Sequence, residues 1–256
     1  MNQIIEYLDK HKRNIILILI VICICYFIYT QYIIPDDKYI QKFQNSENKN
    51  HHLKTKKKYK ETVLSESPKI VLIENFVTKE EAEHLIKIAD EIKRPSTIDT
   101  KNDPYTLVNN VRSSESAHLG KARDKIVLSI ENKACEYVGL NTRYLEPMQV
   151  VVYEKGQKFN PHYDFFSQDS QDIQERGNRN KTILVYLNDI QENFGGATVF
   201  PNVGIKIQPK AYNAIYFENM NENGVDYNTL HAGEELITDK IKKYAINIWF
   251  REKESW

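Results

Sequence analysis

Cysteine is nearly absent: 3 in 256 residues, too few for a disulfide scaffold or a four-cysteine zinc site. Glycine (9) and proline (8) are also scarce, which excludes collagen-like sequence and most low-complexity classes. Neither sign of charge dominates, since Lys plus Arg number 35, Asp plus Glu number 35, and the formal net charge is zero. A global attraction to polyanions is therefore missing, and no nucleic-acid partner is expected. No internal repeat is visible. What is present is ordinary for a folded protein. Hydrophobic residues make up 41% and charged residues 27%, a balance that argues against a wholly disordered chain.

The even composition conceals a polarised N-terminus. Residues 15–34 carry no charge, and 15–29 are apolar throughout. About 20 residues rising about 1.5 Å each span the ~30 Å hydrocarbon layer. A cleaved signal peptide would need a shorter apolar region followed by small residues, yet the first alanine is Ala82 and the first glycine Gly120. The reading is an uncleaved transmembrane anchor over 14–34 behind a cytoplasmic N-terminus, 1–13. Lys10, Lys12 and Arg13 precede the span while Asp36 and Asp37 follow it, so the positive-inside rule sends the rest of the chain across the membrane. The expectation is a single-pass type II membrane protein facing the endoplasmic reticulum or Golgi lumen. Residues 35–66, rich in Lys, Asn, Gln and Glu and without apolar periodicity, read as a polar stalk. Residues 67–256 read as the folded domain.

Local signals order that domain. Residues 69–73 read as a short strand. Thr78 and Glu81 form a Thr-x-x-Glu capping box. Ala82, Leu85, Ile86, Ala89 and Ile92 follow at helical spacing, which predicts a helix over 79–93. Ile126, Val127, Ile130, Ala134 and Val138 predict a second helix stopped at Gly139, with Cys135 as a buried core residue. From Met148 onward short β-rich runs follow, at 149–153, 182–187, 197–200, 214–217 and 244–250. The predicted class is α+β. Its core is a β-sandwich or jelly roll (a double-stranded β-helix) with N-terminal supporting helices, preceded by the transmembrane helix.

Chemistry concentrates in Phe159-Asn-Pro-His-Tyr-Asp-Phe-Phe166. On a strand, His162 and Asp164 share one face and offer two ligands to a divalent metal. A third must come from elsewhere, and His231 lies near the start of a later β run. Two imidazoles and a carboxylate on one face of an octahedral metal leave the opposite positions open, as non-haem Fe(II) oxygenases require. Ligand type alone leaves a Zn or Mn cupin-like centre as an alternative.

Seven blocks stand in one order over roughly 70–251. They are Val111-Arg-Ser-Ser114, Tyr153-Glu-Lys-Gly156, Pro161-His-Tyr-Asp-Phe-Phe166, Thr182-Ile-Leu-Val-Tyr-Leu-Asn-Asp189, Gly195-Gly-Ala-Thr-Val-Phe-Pro201, His231-Ala-Gly233 and Asn247-Ile-Trp249. Together they resemble the prolyl 4-hydroxylase family of Fe(II)/2-oxoglutarate dioxygenases, in its single-domain plant, algal and giant-virus form. The resemblance implies that His162, Asp164 and His231 hold Fe(II). It implies that Lys243 binds the far carboxylate of 2-oxoglutarate, with Tyr153 bonded to the same carboxylate. Thr198 would line the pocket, Trp249 would form an aromatic wall, and Arg179 would contact the peptide. The implied reaction is 4-hydroxylation of proline in a peptide or protein. Dioxygen and 2-oxoglutarate are consumed, succinate and CO2 are released, and ascorbate rescues oxidised iron.

The chain also departs from the pattern. His231 and Lys243 are two residues further apart than the family usually shows, which brings in Lys242. Alternation groups Lys243 with Ala245, Asn247 and Trp249 instead. Glu234 and Glu235 stand where a Cys-Pro pair is common. Without the family, Tyr153, Thr198 and Trp249 read equally well as core residues, and Arg179 as an exposed charge in a polar loop. Residues 167–180 are the expected mobile lid. Two rival functions stand beside the first: hydroxylation of another peptidyl residue such as lysine, and a catalytically silent jelly-roll binding module.

Overall fold

The computed structural model describes residues 58–97, 111–166 and 171–254. The segments read as cytoplasmic (1–13) and membrane-spanning (14–34), and the stalk before residue 58, lie outside the described residues. Among the described residues, no helix is long and apolar enough to cross a membrane.

Along the chain the main elements are β1 (Lys60–Glu66), β2 (Lys69–Glu74), α1 (Lys79–Ile92), β3 (Arg94–Pro95), β4 (Glu115–His118), α2 (Lys125–Val138), β5 (Gln149–Tyr153), β6 (Phe159–His162), α3 (Gln171–Arg176), β7 (Arg179–Tyr186), β8 (Thr198–Phe200), β9 (Ile205–Ile207), β10 (Ala214–Glu218), β11 (Met220–Asn221), β12 (Gly224–Val225), β13 (His231–Gly233) and β14 (Lys243–Arg251). Eight strands form one sheet in the order β1-β2-β10-β7-β14-β5-β4-β3, and four form a second in the order β6-β13-β8-β9. Neighbouring strands run antiparallel. A mostly β core with few helices is the jelly-roll architecture that the strand-rich second half predicts.

The central strands of the large sheet are apolar on both faces. In β5 every residue is buried. Val150 and Val152 pack with Leu85, Ile88, Val127 and Ile130 of α1 and α2. Val151 and Tyr153 instead join Phe200 and Ile207 from the small sheet. The central strands therefore read as continuous apolar runs, because each face has its own cover. The face turned toward the small sheet is the one that carries chemistry.

The helices are placed by their caps. Thr78 N donates to Glu81 Oε2 at 2.8 Å and Glu81 N donates to Thr78 Oγ1 at 3.2 Å, completing the predicted box. Glu81 also accepts two bonds from Lys133 Nζ of α2, at 2.7 and 2.6 Å. Asp124 caps α2 through the Ile126 and Val127 amides, both at 2.9 Å, and Gly139 stops that helix with φ 75°.

Three sequence-based boundaries change. First, β1 occupies 60–66, part of the expected stalk, so two strands precede α1 and the helices do not come first. It is an edge strand paired to β2 alone. Most of its side chains meet solvent, so its composition resembles a linker. Second, β7 starts at Arg179 rather than 182, which draws Arg179 and Asn180 out of the expected lid and into the sheet. Third, residues 171–176 of that segment form the short helix α3. One glycine is required by contact: Gly195, at φ 70°, passes so close to the Glu235 carbonyl that any Cβ would collide with it. This pins the loop before β8 against the segment leading to β14.

Candidate active site

Register brings distant residues together. In the β6–β13 pair, His231 stands directly opposite His162. Asp164 Oδ1 lies 4.0 Å from His162 Nε2 and 3.7 Å from His231 Nε2. One ligand atom from each of the three residues falls within 4.8 Å of the others. The route differs from the sequence argument in one respect. Strand β6 ends at His162, and Asp164 follows in a bend. The carboxylate therefore arrives through the bend and not through strand alternation.

Each of these groups is held from behind. His162 Nδ1 is 2.8 Å from the Asn160 carbonyl, and His231 Nδ1 is 2.9 Å from the Thr229 carbonyl. A proton on each Nδ1 satisfies the carbonyl and leaves the Nε2 lone pair facing the centre. The Thr182 hydroxyl donates to Asp164 Oδ2 at 2.7 Å, and Asn219 Nδ2 donates to Thr182 Oγ1 at 2.9 Å. One carboxylate oxygen is thus engaged, and the other is turned to the imidazoles. Burial, then the adjacent His231, pushes His162 down to about 3, so its ring is neutral at neutral pH. Burial disfavours the Asp164 carboxylate. His231, His162, the Arg179 guanidinium and the Thr182 hydroxyl nevertheless hold it below the usual carboxylate range. Two imidazole nitrogens and one ionised oxygen, with Asp164 and His231 buried and His162 half-buried, form a donor set that fits a divalent transition metal.

Thr182 heads one of the family blocks, yet nothing there marks it as a support, because a buried hydroxyl behind a ligand looks like any strand threonine; Asn219 lies outside every block. Thr182→Val keeps the shape and removes the donor. It is expected to weaken metal affinity about 10–100-fold, with Thr182→Ser close to wild type. Anaerobic titration with Mn(II) measures this directly.

A second layer supports His162. Phe159 stacks on the imidazole with ring centroids 3.5 Å apart. The Arg112 guanidinium lies 4.7 Å from the other ring's centroid, over Phe159. Arg112 itself is held by Ser114, Ser116 and Gln149. The Val111-Arg-Ser-Ser114 block therefore converges on the same centre as the His-Tyr-Asp block.

Lys243 is buried on the face between the sheets and pairs in register with Tyr153. Its ammonium lies 5.0 Å from the Tyr153 ring centroid and 5.9 Å from that of Tyr186. Burial pulls it down to about 8. No carboxylate is paired with it among the described residues. A buried cation with aromatic neighbours, no paired carboxylate and only the longer-range attraction of Glu234 fits an anionic ligand group. Lys242 takes the opposite direction, bonded to Glu154 at 2.6 Å on the surface. Thr198 is buried opposite Gly233 and accepts a 2.7 Å bond from the Tyr186 hydroxyl. Tyr186 lies inside one of the family blocks without a mark of its own, since a strand tyrosine is usually core.

Arg179 is neither in a loop nor fully exposed. Its Nε and Nη2 donate to Glu146 at 2.8 and 2.9 Å, and its guanidinium covers the Trp249 ring at 3.7 Å. Arg251 adds a second guanidinium to the same carboxylate. The Trp249 indole nitrogen is buried and has no acceptor among the described residues. Glu146 lay outside every motif. Its only sequence clue is an acid set between Leu145 and Pro147.

Comparison with known proteins gives this geometry a context. A family model described as the 2OG-Fe(II) oxygenase superfamily matches residues 148–251, a stretch that contains the triad and Lys243. A probable prolyl 4-hydroxylase 10 of Arabidopsis thaliana is 31% identical over 212 residues, covering 75% of this chain and 72% of the relative. The chain belongs to the prolyl 4-hydroxylase family. A second Arabidopsis thaliana member, probable prolyl 4-hydroxylase 3, is 33% identical over 207 residues, covering 73% of this chain and 70% of its own. Among solved structures, the viral collagen prolyl hydroxylase of Paramecium Bursaria Chlorella virus-1, in its 2OG complex, is 26% identical with a TM-score of 0.56. That match covers 70% of this chain and 94% of the viral one. Family membership accounts for the ordered blocks, which a chance His-x-Asp could not produce.

Proposed function

We propose that this chain is an Fe(II)- and 2-oxoglutarate-dependent dioxygenase that hydroxylates proline in a peptide or protein. The observation that carries the reading is the convergence of His162, Asp164 and His231, with the buried Lys243, paired to no carboxylate among the described residues, on the neighbouring sheet. His162 Nε2, His231 Nε2 and Asp164 Oδ1 would hold the ferrous ion. Bound there with 2-oxoglutarate and dioxygen, it would supply the oxidising power for C–H hydroxylation, with succinate and CO2 as co-products.

The residues divide the remaining work. Lys243 and the Tyr153 hydroxyl bind the far carboxylate, so the keto-acid end of the co-substrate is directed at the metal. The Tyr186–Thr198 hydrogen bond fixes the wall beside them. The carbonyls behind His162 and His231 would keep each Nε2 directed at the ion, and the surrounding apolar cluster excludes water. Arg179, held by Glu146 and laid over Trp249, forms a rigid side for the peptide. Ascorbate would serve as the reductant that keeps the ion ferrous. The uncharged stretch 15–34 supports a membrane-anchored placement with the domain on the lumenal side.

The test is incubation with proline-rich peptides, Fe(II), 2-oxoglutarate and ascorbate. Succinate should form in step with a gain of one oxygen atom located on proline by fragment mass spectrometry. Oxygen on lysine would transfer the activity to another residue. Absence of succinate with every peptide would leave a silent binding module.

A further inference from the structure

The stretch carrying two of the proposed ligands has a second set of side chains with another use. His162 and Asp164 turn to the metal centre. The residues between and after them turn elsewhere: Tyr163 and Phe165 stack on each other with centroids 4.6 Å apart. Tyr227, from the segment leading to His231, stands at 90° to both rings, at 5.5 and 5.6 Å. The three rings make a floor and a wall. Tyr227 is 62% exposed, one of few large hydrophobic side chains so exposed among the described residues.

The exposed ring stands on a fixed backbone. Asp226 caps the turn through the Asn228 amide at 2.9 Å, and its carbonyl accepts the Thr229 hydroxyl at 2.6 Å. The Tyr227 carbonyl accepts Asn202 Nδ2 at 2.9 Å. Asp226 and Thr229 are buried. Water therefore meets an aromatic surface already ordered for contact, which keeps the entropy cost of docking low.

We propose that Tyr163, Phe165 and Tyr227 form a docking surface for the proline-rich stretch that flanks the target proline. This rests on the proline-hydroxylase reading and extends it beyond the reacting residue. A polyproline II chain has no internal hydrogen bonds and presents pyrrolidine rings and free carbonyls, which suit aromatic faces and tyrosine hydroxyls. Continuity with the metal centre selects this occupant. Tyr163 is one Cα step, about 3.8 Å, from each neighbouring ligand, and Tyr227 precedes His231 by four residues, at most about 14 Å of extended chain. A polyproline II peptide advances about 3.1 Å per residue. A flank of about five residues covers that backbone separation, and a few more allow for the reach of the side chains.

The test compares a tripeptide substrate with a proline-rich peptide of about twelve residues, long enough to span that distance. Tyr227→Ala is expected to raise KM for the long peptide about tenfold, leaving its kcat and the tripeptide's KM unchanged. Tyr227→Phe should retain most of the affinity, because the ring makes the contact. Thermal unfolding of both variants checks that the turn is intact. An unchanged KM for the long peptide, or an equal rise for both peptides, overturns the surface while the activity stands. A wild-type enzyme that hydroxylates neither peptide overturns the proline reading and this proposal with it.

Discussion

Asp164→Asn is expected to cut succinate formation more than about a thousandfold and to abolish tight Mn(II) binding. The substitution removes the only anionic ligand of the three and leaves two imidazoles and an amide. Asparagine keeps the size and still offers an oxygen to the Thr182 hydroxyl, which now donates to Asp164 at 2.7 Å. The variant should therefore stay folded, and the loss belongs to the metal. Asp164→Ala is a less clean choice, because a buried hydroxyl left without a partner costs about 1–3 kcal/mol. Metal titration alongside thermal unfolding separates the two effects. An Asn variant that binds Mn(II) as tightly as wild type would remove Asp164 from the ligand set.

Lys243→Met should raise KM for 2-oxoglutarate between about a hundredfold and several thousandfold, the equivalent of the roughly 3–5 kcal/mol lost when one partner of a buried ion pair is removed. Lys242→Ala should change it little, since Lys242 pairs with Glu154 at the surface. The pH dependence has a definite sign. Burial lowers Lys243 to about 8, so below that pH the empty site holds an ammonium ready for a carboxylate. As pH rises above about 8 the ammonium is lost, and co-substrate affinity falls by up to about tenfold per unit.

Stability runs the other way. The folded-state value lies below the unfolded value of about 10.5. The cost of the buried charge is thus present below about 8 and is relieved as pH rises through that window. Lys243→Met removes the charge, so without 2-oxoglutarate it should melt higher than wild type at neutral pH. A rise in melting temperature together with failed co-substrate binding would mark Lys243 as a functional residue retained at the expense of stability. Equal melting and unchanged KM would assign it a solvated role.

Local signals carried far in this chain. The Thr78–Glu81 box, the stop at Gly139 and the strand runs from residue 149 onward were legible because each depends on side chains within a few residues of one another. Alternation along β14 placed Lys243 on the inner face and Lys242 outside, since strand period is insensitive to distant structure. Strand β1 escaped notice because an edge strand carries little apolar signal. Asp164 joined the imidazoles by a bend that alternation does not describe.

By itself, the sequence determined the kinds of ligand available, the order of the motifs, the helix ends and the uncharged N-terminal stretch. Only the tertiary structure decided which groups stand behind them. Glu146 meets Arg179 from 33 positions away, and Asn219 reaches Thr182 from 37. Tyr227 meets Tyr163 from another segment entirely. Such partners are set by strand register and by the facing of two sheets. A hydrogen bond or ring contact depends on ångström-scale separation in space, and no spacing along the chain encodes it.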